Sequence, residues 1–289
     1  MELARRTKLI AGGLGLVGAG LGSAIVFGSA RWNDQTSRLV NKLLQARPGG
    51  RREPVTSNGF AQLPAPVAKY FRQALREGQP MIRTARIIWA GEFRAGSADG
   101  GWSLLKATQY FSAQPPGFVW DASIRLRPLM TVRVRDAYLG GQGSMQAKLL
   151  SLAPVVDACG QAELNAGALQ RYLAEAVWFP TALLPSAGVT WSAIDDSRAL
   201  ATLTDSGTTV SLRFHFNDVG EITGVFTPGR YREVNGKYEL TPWGGHFRSY
   251  EERDGMRIPV EGDVEWRLQG ESFPYWTGRI MEVRYDFAV

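Results

Sequence analysis

Beyond Ile82, apolar residues recur at every second position in run after run, and that pattern leaves few folds open. Ile87, Trp89 and Phe93 alternate with Arg86, Ile88, Glu92 and Arg94, and Phe118, Trp120, Ile124 and Leu126 with Asp121, Ser123, Arg125 and Arg127. Val210, Leu212, Phe214 and Phe216 repeat the pattern, as do Val264, Trp266 and Leu268, and Met281, Val283, Tyr285 and Phe287 close the chain. A period of two sends successive side chains to opposite faces, so each run is a strand with one buried and one wetter face. Turn signals divide the runs, among them Gly140-Gly141, Asp205-Ser206-Gly207, Asn235-Gly236 and Asp254-Gly255. The spacing predicts an antiparallel sheet of roughly ten to twelve strands.

One helical stretch interrupts the strands. Over residues 163–179, Leu169, Tyr172, Leu173, Ala176 and Val177 form an apolar stripe at helical spacing. Pro180 disfavours a helical Phe179 and stops it. The expected fold is mainly β with inserted helices: a large curled antiparallel sheet or half-open barrel whose concave side this helix covers. N-terminal helices over residues 33–47 and 63–78 precede it.

The first thirty residues differ from the rest. Arg5, Arg6 and Lys8 precede an uncharged run over residues 9–30, about 33 Å long as a helix at ~1.5 Å per residue. A cleaved signal would end near Gly28-Ser29-Ala30, but the apolar length favours a retained single-pass anchor. Charge follows the same division. Residues 31–86 carry 11 Lys and Arg against 3 Asp and Glu, whereas residues 87–289 carry 19 against 23. The basic neck suits anionic lipid headgroups, and the acidic body disfavours nucleic acid. Three segments follow: an anchor or signal over 1–30, a basic juxtamembrane helix and linker over 31–59, and a single β-rich domain over 60–289. The expected location is the bacterial inner membrane, with the body extracytoplasmic.

Catalytic motifs are sparse. His215 and His246 lack a second ligand at metal spacing, Cys159 is the single cysteine, and no nucleophile elbow is present. Gly140, Gly141 and Gly143 lack the helix and Lys-Ser/Thr of a phosphate loop and read as a hairpin turn. Neither a metal nor a cofactor is expected. Asp136 shares the inward parity of Val132, Val134 and Tyr138, and Glu175 lies one helical turn after Arg171. Two inward carboxylates would suit general acid/base chemistry, with His246 as a third candidate. The competing reading has Asp136 neutralised by an inward Arg or capping a turn before Gly140, and makes Arg171–Glu175 an ordinary i,i+4 pair.

LPAPVAKYF (63–71), QPPGFVWDA (114–122), DAYLGGQGSM (136–145), RYLAEAVWFPTALLP (171–185) and PWGGHFRSYEERDGMRIP (242–259) together resemble an uncharacterised bacterial family of membrane-anchored proteins of unknown function. That resemblance brings no assigned activity and no catalytic residues. The expected architecture is also similar to the periplasmic lipoprotein-carrier fold. The function expected is binding of an apolar or amphipathic, lipid-like ligand in a concavity lined by Trp89, Trp120, Tyr138, Trp178, Phe179, Trp243 and Trp266. A cell-envelope hydrolase using the inward carboxylates and an envelope scaffold protein are the alternatives.

Overall fold

The computed structural model describes residues 2–45, 53–96, 100–128 and 130–288, with side chains from residue 20 onward. Among these residues, thirteen strands form one antiparallel sheet. The first six are β1 (Ile82–Phe93), β2 (Ser103–Ser112), β3 (Gly117–Arg127), β4 (Met130–Leu139), β5 (Gln142–Leu149) and β6 (Ala153–Cys159). The remainder are β7 (Val189–Asp195), β8 (Arg198–Asp205), β9 (Thr208–Phe216), β10 (Ile222–Val234), β11 (Lys237–Arg253), β12 (Met256–Leu268) and β13 (Glu271–Phe287). The count exceeds the expected ten to twelve because β6 and most of β7 are exposed and show little apolar alternation.

The spatial order is β6-β5-β4-β3-β2-β1-β13-β12-β11-β10-β9-β8-β7. The first and last strands therefore pair at the centre, Ile87 opposite Val283 and Gly91 opposite Gly278. The two outer edges, β6 and β7, are consecutive in sequence and do not pair, so the curled sheet stays open. The segment between them has to cross from one edge to the other. It does so as helix α3 (Ala162–Glu175), which packs against β4 and β5 on one side and β9 and β10 on the other.

The lid helix is shorter than the expected 163–179. It gives way at Ala176–Trp178 to a 3-10 turn, and Phe179 before Pro180 adopts φ −141° and ψ 69°. Two more 3-10 turns, Pro180–Leu183 and Pro185–Ala187, carry the chain to β7. Trp178, Phe179, Leu183 and Leu184 are all buried there.

A second helix covers part of the convex face. α1 (Glu2–Gln45) runs without a break through the uncharged stretch and residues 33–45 of the expected 33–47 helix, whose last two residues lie outside the described ones. Its Val40 and Leu43 pack on Val119 and Ala137, outward-parity residues that α1 buries. Arg135, also on that face, is 4% exposed. Its guanidinium lies 4.4 Å from the Trp32 ring and donates to Thr36 Oγ1 at 2.9 Å. Among the described residues no helix is long and apolar enough to cross a membrane; much of the 9–30 run lies outside the described side chains. α2 (Ala65–Ala74) buries Val67, Tyr70 and Phe71 in the main core, and is shorter than the expected 63–78 because Leu75 turns extended.

Candidate functional site

Under the lid, four elements bring one polar chain into an aromatic interior. Alternation along β4 points Asp136 inward, and helical spacing on α3 sets Arg171 beside Glu175. Arg171 Nη1 donates to Asp136 Oδ2 at 2.6 Å and Nε to Glu175 Oε1 at 2.8 Å. Gln109 on β2 donates to Glu175 Oε2 at 2.7 Å and accepts from Trp89 Nε1 of β1 at 3.1 Å. The guanidinium also lies 5.0 Å from the ring centres of both Phe118 and Trp120. The two carboxylates singled out by the sequence do meet, but with Arg171 between them.

The electrostatics follow from that arrangement. Burial pushes the Glu175 carboxyl above its ordinary range, while Arg171 and Gln109 pull it back part of the way. Burial would lower Arg171, but Glu175 and Asp136 more than reverse this, so the guanidinium stays charged. One cation shared by two carboxylates is a clasp between lid and wall. Acid/base chemistry would need a free base beside a free acid, and the bond of each carboxylate to Arg171 uses up that freedom.

His246 does not join them. Trp243, Gly245 and Phe247 of β11 face inward, which turns His246 to the convex face. There its Nδ1 lies 2.9 Å from Asp263 Oδ2, within an exposed ladder that includes Arg248 and Glu261. The candidate grouping of His246 with Asp136 and Glu175 is therefore corrected by strand parity. His215 lies on the outward parity of β9, half-buried, and burial lowers its pKa. Among the described residues no cluster of His, Cys, Asp or Glu could hold a metal ion, and Cys159 is an exposed free thiol.

The seven aromatic residues expected to line a concavity do face it, but they fill it. Trp89, Trp120, Tyr138, Trp178, Phe179 and Trp243 are at most 5% exposed. Trp89 packs on Trp178 at 4.5 Å and on Trp276 at 5.4 Å, and Phe179 on Phe111 at 4.5 Å. Trp243 Nε1 donates to the Tyr275 hydroxyl at 2.9 Å, and only Trp266, stacked on Tyr275 at 5.8 Å, is partly open. Tyr138 closes the lid side by donating to Asp205 at 2.7 Å. The indole N–H groups of Trp120 and Trp178 are buried without a partner among the described residues. Gly143 explains the glycine run near residue 140. A Cβ there would come within 2.7 Å of Leu164 O, so glycine lets α3 approach β5.

Open space lies at the flank of the lid, at residues the sequence reading did not single out. β9 pairs with β10 only from Arg213 to Phe216, while Thr208–Phe216 pairs along its length with β8. Beyond Phe226 the ladder to β11 shifts register across Thr227-Pro228-Gly229, and β10 leaves β9. Pro228 lacks an N–H for a central ladder, and that is the sequence signal for the parting. Between the diverging strands lies a cleft of about 640 Å³ with Ala166 and Gln170 of α3 in its wall. Ile194, Leu200, Val210, Phe226 and Tyr231 supply apolar lining and Arg213 a cation, its guanidinium 5.5 Å from the Phe226 ring. Among the described residues Arg213 has no carboxylate partner.

Two of the solved structures that the chain is similar to are the following. The LolA superfamily protein NE2245 from Nitrosomonas europaea shares 9% identity, with 80% of this chain and 94% of that chain covered and a TM-score of 0.35. A beta-barrel-like protein of the domain of unknown function DUF1849 from Brucella abortus shares 10%, with 72% and 100% covered and a TM-score of 0.23. None of the curated proteins matches the chain in sequence. The model of a family of unknown function, DUF6920, matches residues 61–285, taking in the sheet, the lid and its clasp, and the chain belongs to that family.

Proposed function

We propose that the protein is a membrane-anchored, extracytoplasmic module of the bacterial inner membrane that binds an apolar or amphipathic, lipid-like ligand. The observation that carries this reading is the cleft between β9 and β10. Its volume of about 640 Å³ falls within the range of small-molecule sites. Its walls are more apolar than polar, with Gln170, Thr209, Ser211 and Thr227 among them and Arg213 as a cation without a carboxylate partner among the described residues. Arg213 suits the acidic head of such a ligand, and Leu200, Val210, Phe226 and Tyr231 suit its tail. The anchor is supported by the uncharged run over residues 9–30, by its continuity with helix α1, and by Val26 and Phe27, each 71% exposed on that helix.

The test is uptake of a fluorescent fatty acid by delipidated protein, with mass spectrometry of the small molecules that co-purify after membrane extraction. Saturable uptake that Ile194→Glu and Leu200→Glu abolish supports the reading. Both side chains are partly exposed, so the fold tolerates the charge. No uptake together with no co-purifying amphiphile would overturn it.

A further inference from the structure

We infer that the β3–β4 and β5–β6 turns form a second membrane contact, seating the body directly on an anionic lipid surface instead of holding it off on a stalk. The inference rests on the anchor reading above and adds the orientation of the body to it. α1 is one helix from Glu2 to Gln45, and its later turns are fixed to the sheet by Trp32, Thr36, Val40 and Leu43. Trp32 Nε1 donates to Asp121 Oδ1 at 2.9 Å, and Asp121 is held in turn by Arg133. The body therefore has no flexible link to the uncharged run.

The end of that run touches the body at a defined place. A Cβ on Gly28 would come within 2.8 Å of both Leu152 Cδ2 and Ser151 O, and Ser29 Oγ donates to Ser151 Oγ at 3.1 Å. From residue 9 to residue 28 a helix rises roughly 29 Å, about the thickness of the hydrocarbon layer. A helix that spans the bilayer over this run puts the β5–β6 turn at the headgroup boundary. The β3–β4 turn lies beside it, because Leu150 N–H donates to Thr131 O at 2.8 Å.

Their surface chemistry matches that depth. Leu126, Met130, Leu152 and Val155 are 41%, 37%, 37% and 62% exposed. Arg125 and Arg127 are exposed among them and carry no ion pair among the described residues. Apolar side chains flanked by arginine suit an interface whose acyl boundary accepts the former and whose phosphates attract the latter.

The experiment uses full-length protein with Cys159→Ser, reconstituted in vesicles of equal parts phosphatidylethanolamine and phosphatidylglycerol. An environment-sensitive fluorophore is placed on Met130→Cys, Leu152→Cys, Phe27→Cys or Asp254→Cys. Asp254 lies in the β11–β12 turn, at the other end of the sheet. The expected result is a blue shift and quenching by lipid-borne quenchers at 27, 130 and 152, and none at 254. Arg125→Gln with Arg127→Gln should lower the docked-to-undocked ratio at 130 and 152 by on the order of tenfold, while leaving 27 quenched. Quenching at 27 with 130 and 152 in water would overturn the seating and leave the anchor standing. Water exposure at 27 as well would remove both. Blue shifts at 130 and 152 that need no vesicles would assign these turns to self-association and overturn the proposal.

Discussion

Replacing Arg171 with Met keeps most of the side-chain length and removes the charge that two carboxylates share. In the variant, Glu175 keeps the hydrogen bond from Gln109, and Asp136 keeps no side-chain donor among the described residues. Breaking a buried ion pair from one side costs about 3–5 kcal/mol. These side chains retain 13–17% exposure, which places the expected loss near the lower end, about 3 kcal/mol. For a body of this size that is a fall in Tm of roughly 6–12 °C. The loss also has a pH signature. Burial already pushes the Glu175 carboxyl up and Arg171 is what pulls it back. Without the cation its folded pKa therefore lies above its unfolded one, and the penalty it carries is absent below about pH 4 and grows as pH rises. Urea unfolding followed by tryptophan fluorescence at acid and neutral pH measures both effects. Arg171→Met with Asp136→Asn and Glu175→Gln should lose less than Arg171→Met alone, since no charge is then stranded. An equal loss at the two pH values, or a triple variant weaker than the single, would refute the clasp.

The two histidines should titrate on opposite sides of their ordinary value of 6.5, His246 above it through its bond to Asp263 and His215 below it through burial. NMR titration checks this. The His246 contribution to stability is full below 6.5 and lost as pH rises through its folded value, whereas His215 costs stability as pH falls from 6.5 toward its folded value. Gly91→Ala should cost about 3 kcal/mol, because its Cβ would fall 2.1 Å from Thr277 O in a central strand pair whose backbone cannot yield; Gly59→Ala, with open space around it, is the matched control in the same unfolding assay. Arg135→Met should raise hydrogen exchange across residues 32–44 of α1 and leave β9–β12 unchanged, since its guanidinium ties Trp32 and Thr36 to the sheet.

How far the sequence could be read depended on whether neighbours in space were neighbours in pattern. Strand parity alone turned Asp136 inward, and helical spacing alone paired Arg171 with Glu175. The bond from Arg171 to Asp136 spans 35 residues and exists only because α3 crosses the concavity, which local periodicity cannot reveal. Val119, Ala137 and Arg135 are buried at outward positions because α1 covers them from a distant part of the chain. Trp89, Trp178 and Phe179 suggested a ligand lining by residue type, yet residue type does not say whether another ring stands opposite, and here one does. Pro228 within a strand-like run carried the signal for the parting of β9 and β10, but its meaning depends on which strand lies alongside.

The topology also limits how the packed interior could be opened to a ligand. Because β1 pairs with β13 at the centre, the sheet's two margins are successive in the chain, and α3 with its 3-10 turns is bound to a margin at each end. A segment tied at both ends cannot swing out like a flap without stripping β6 or β7 from the sheet. Along the length of α3, Arg171 fastens it to β4, Gln170 donates to Gly229 O and Arg230 donates to Gly167 O. The last two contacts border the open cleft, and both depend on where the Thr227-Pro228-Gly229 bulge sets β10. Entry beside the lid then asks for displacement of long polar contacts of 3.4 and 3.2 Å, while entry through the lid asks for rupture of a charged one at 2.6 Å. The Arg230 bond is charged on its donor side only and long, whereas Arg171 bonds a carboxylate at short range, so Arg171 holds the lid on its β4 side and the flank beside β10 is the route of lower cost.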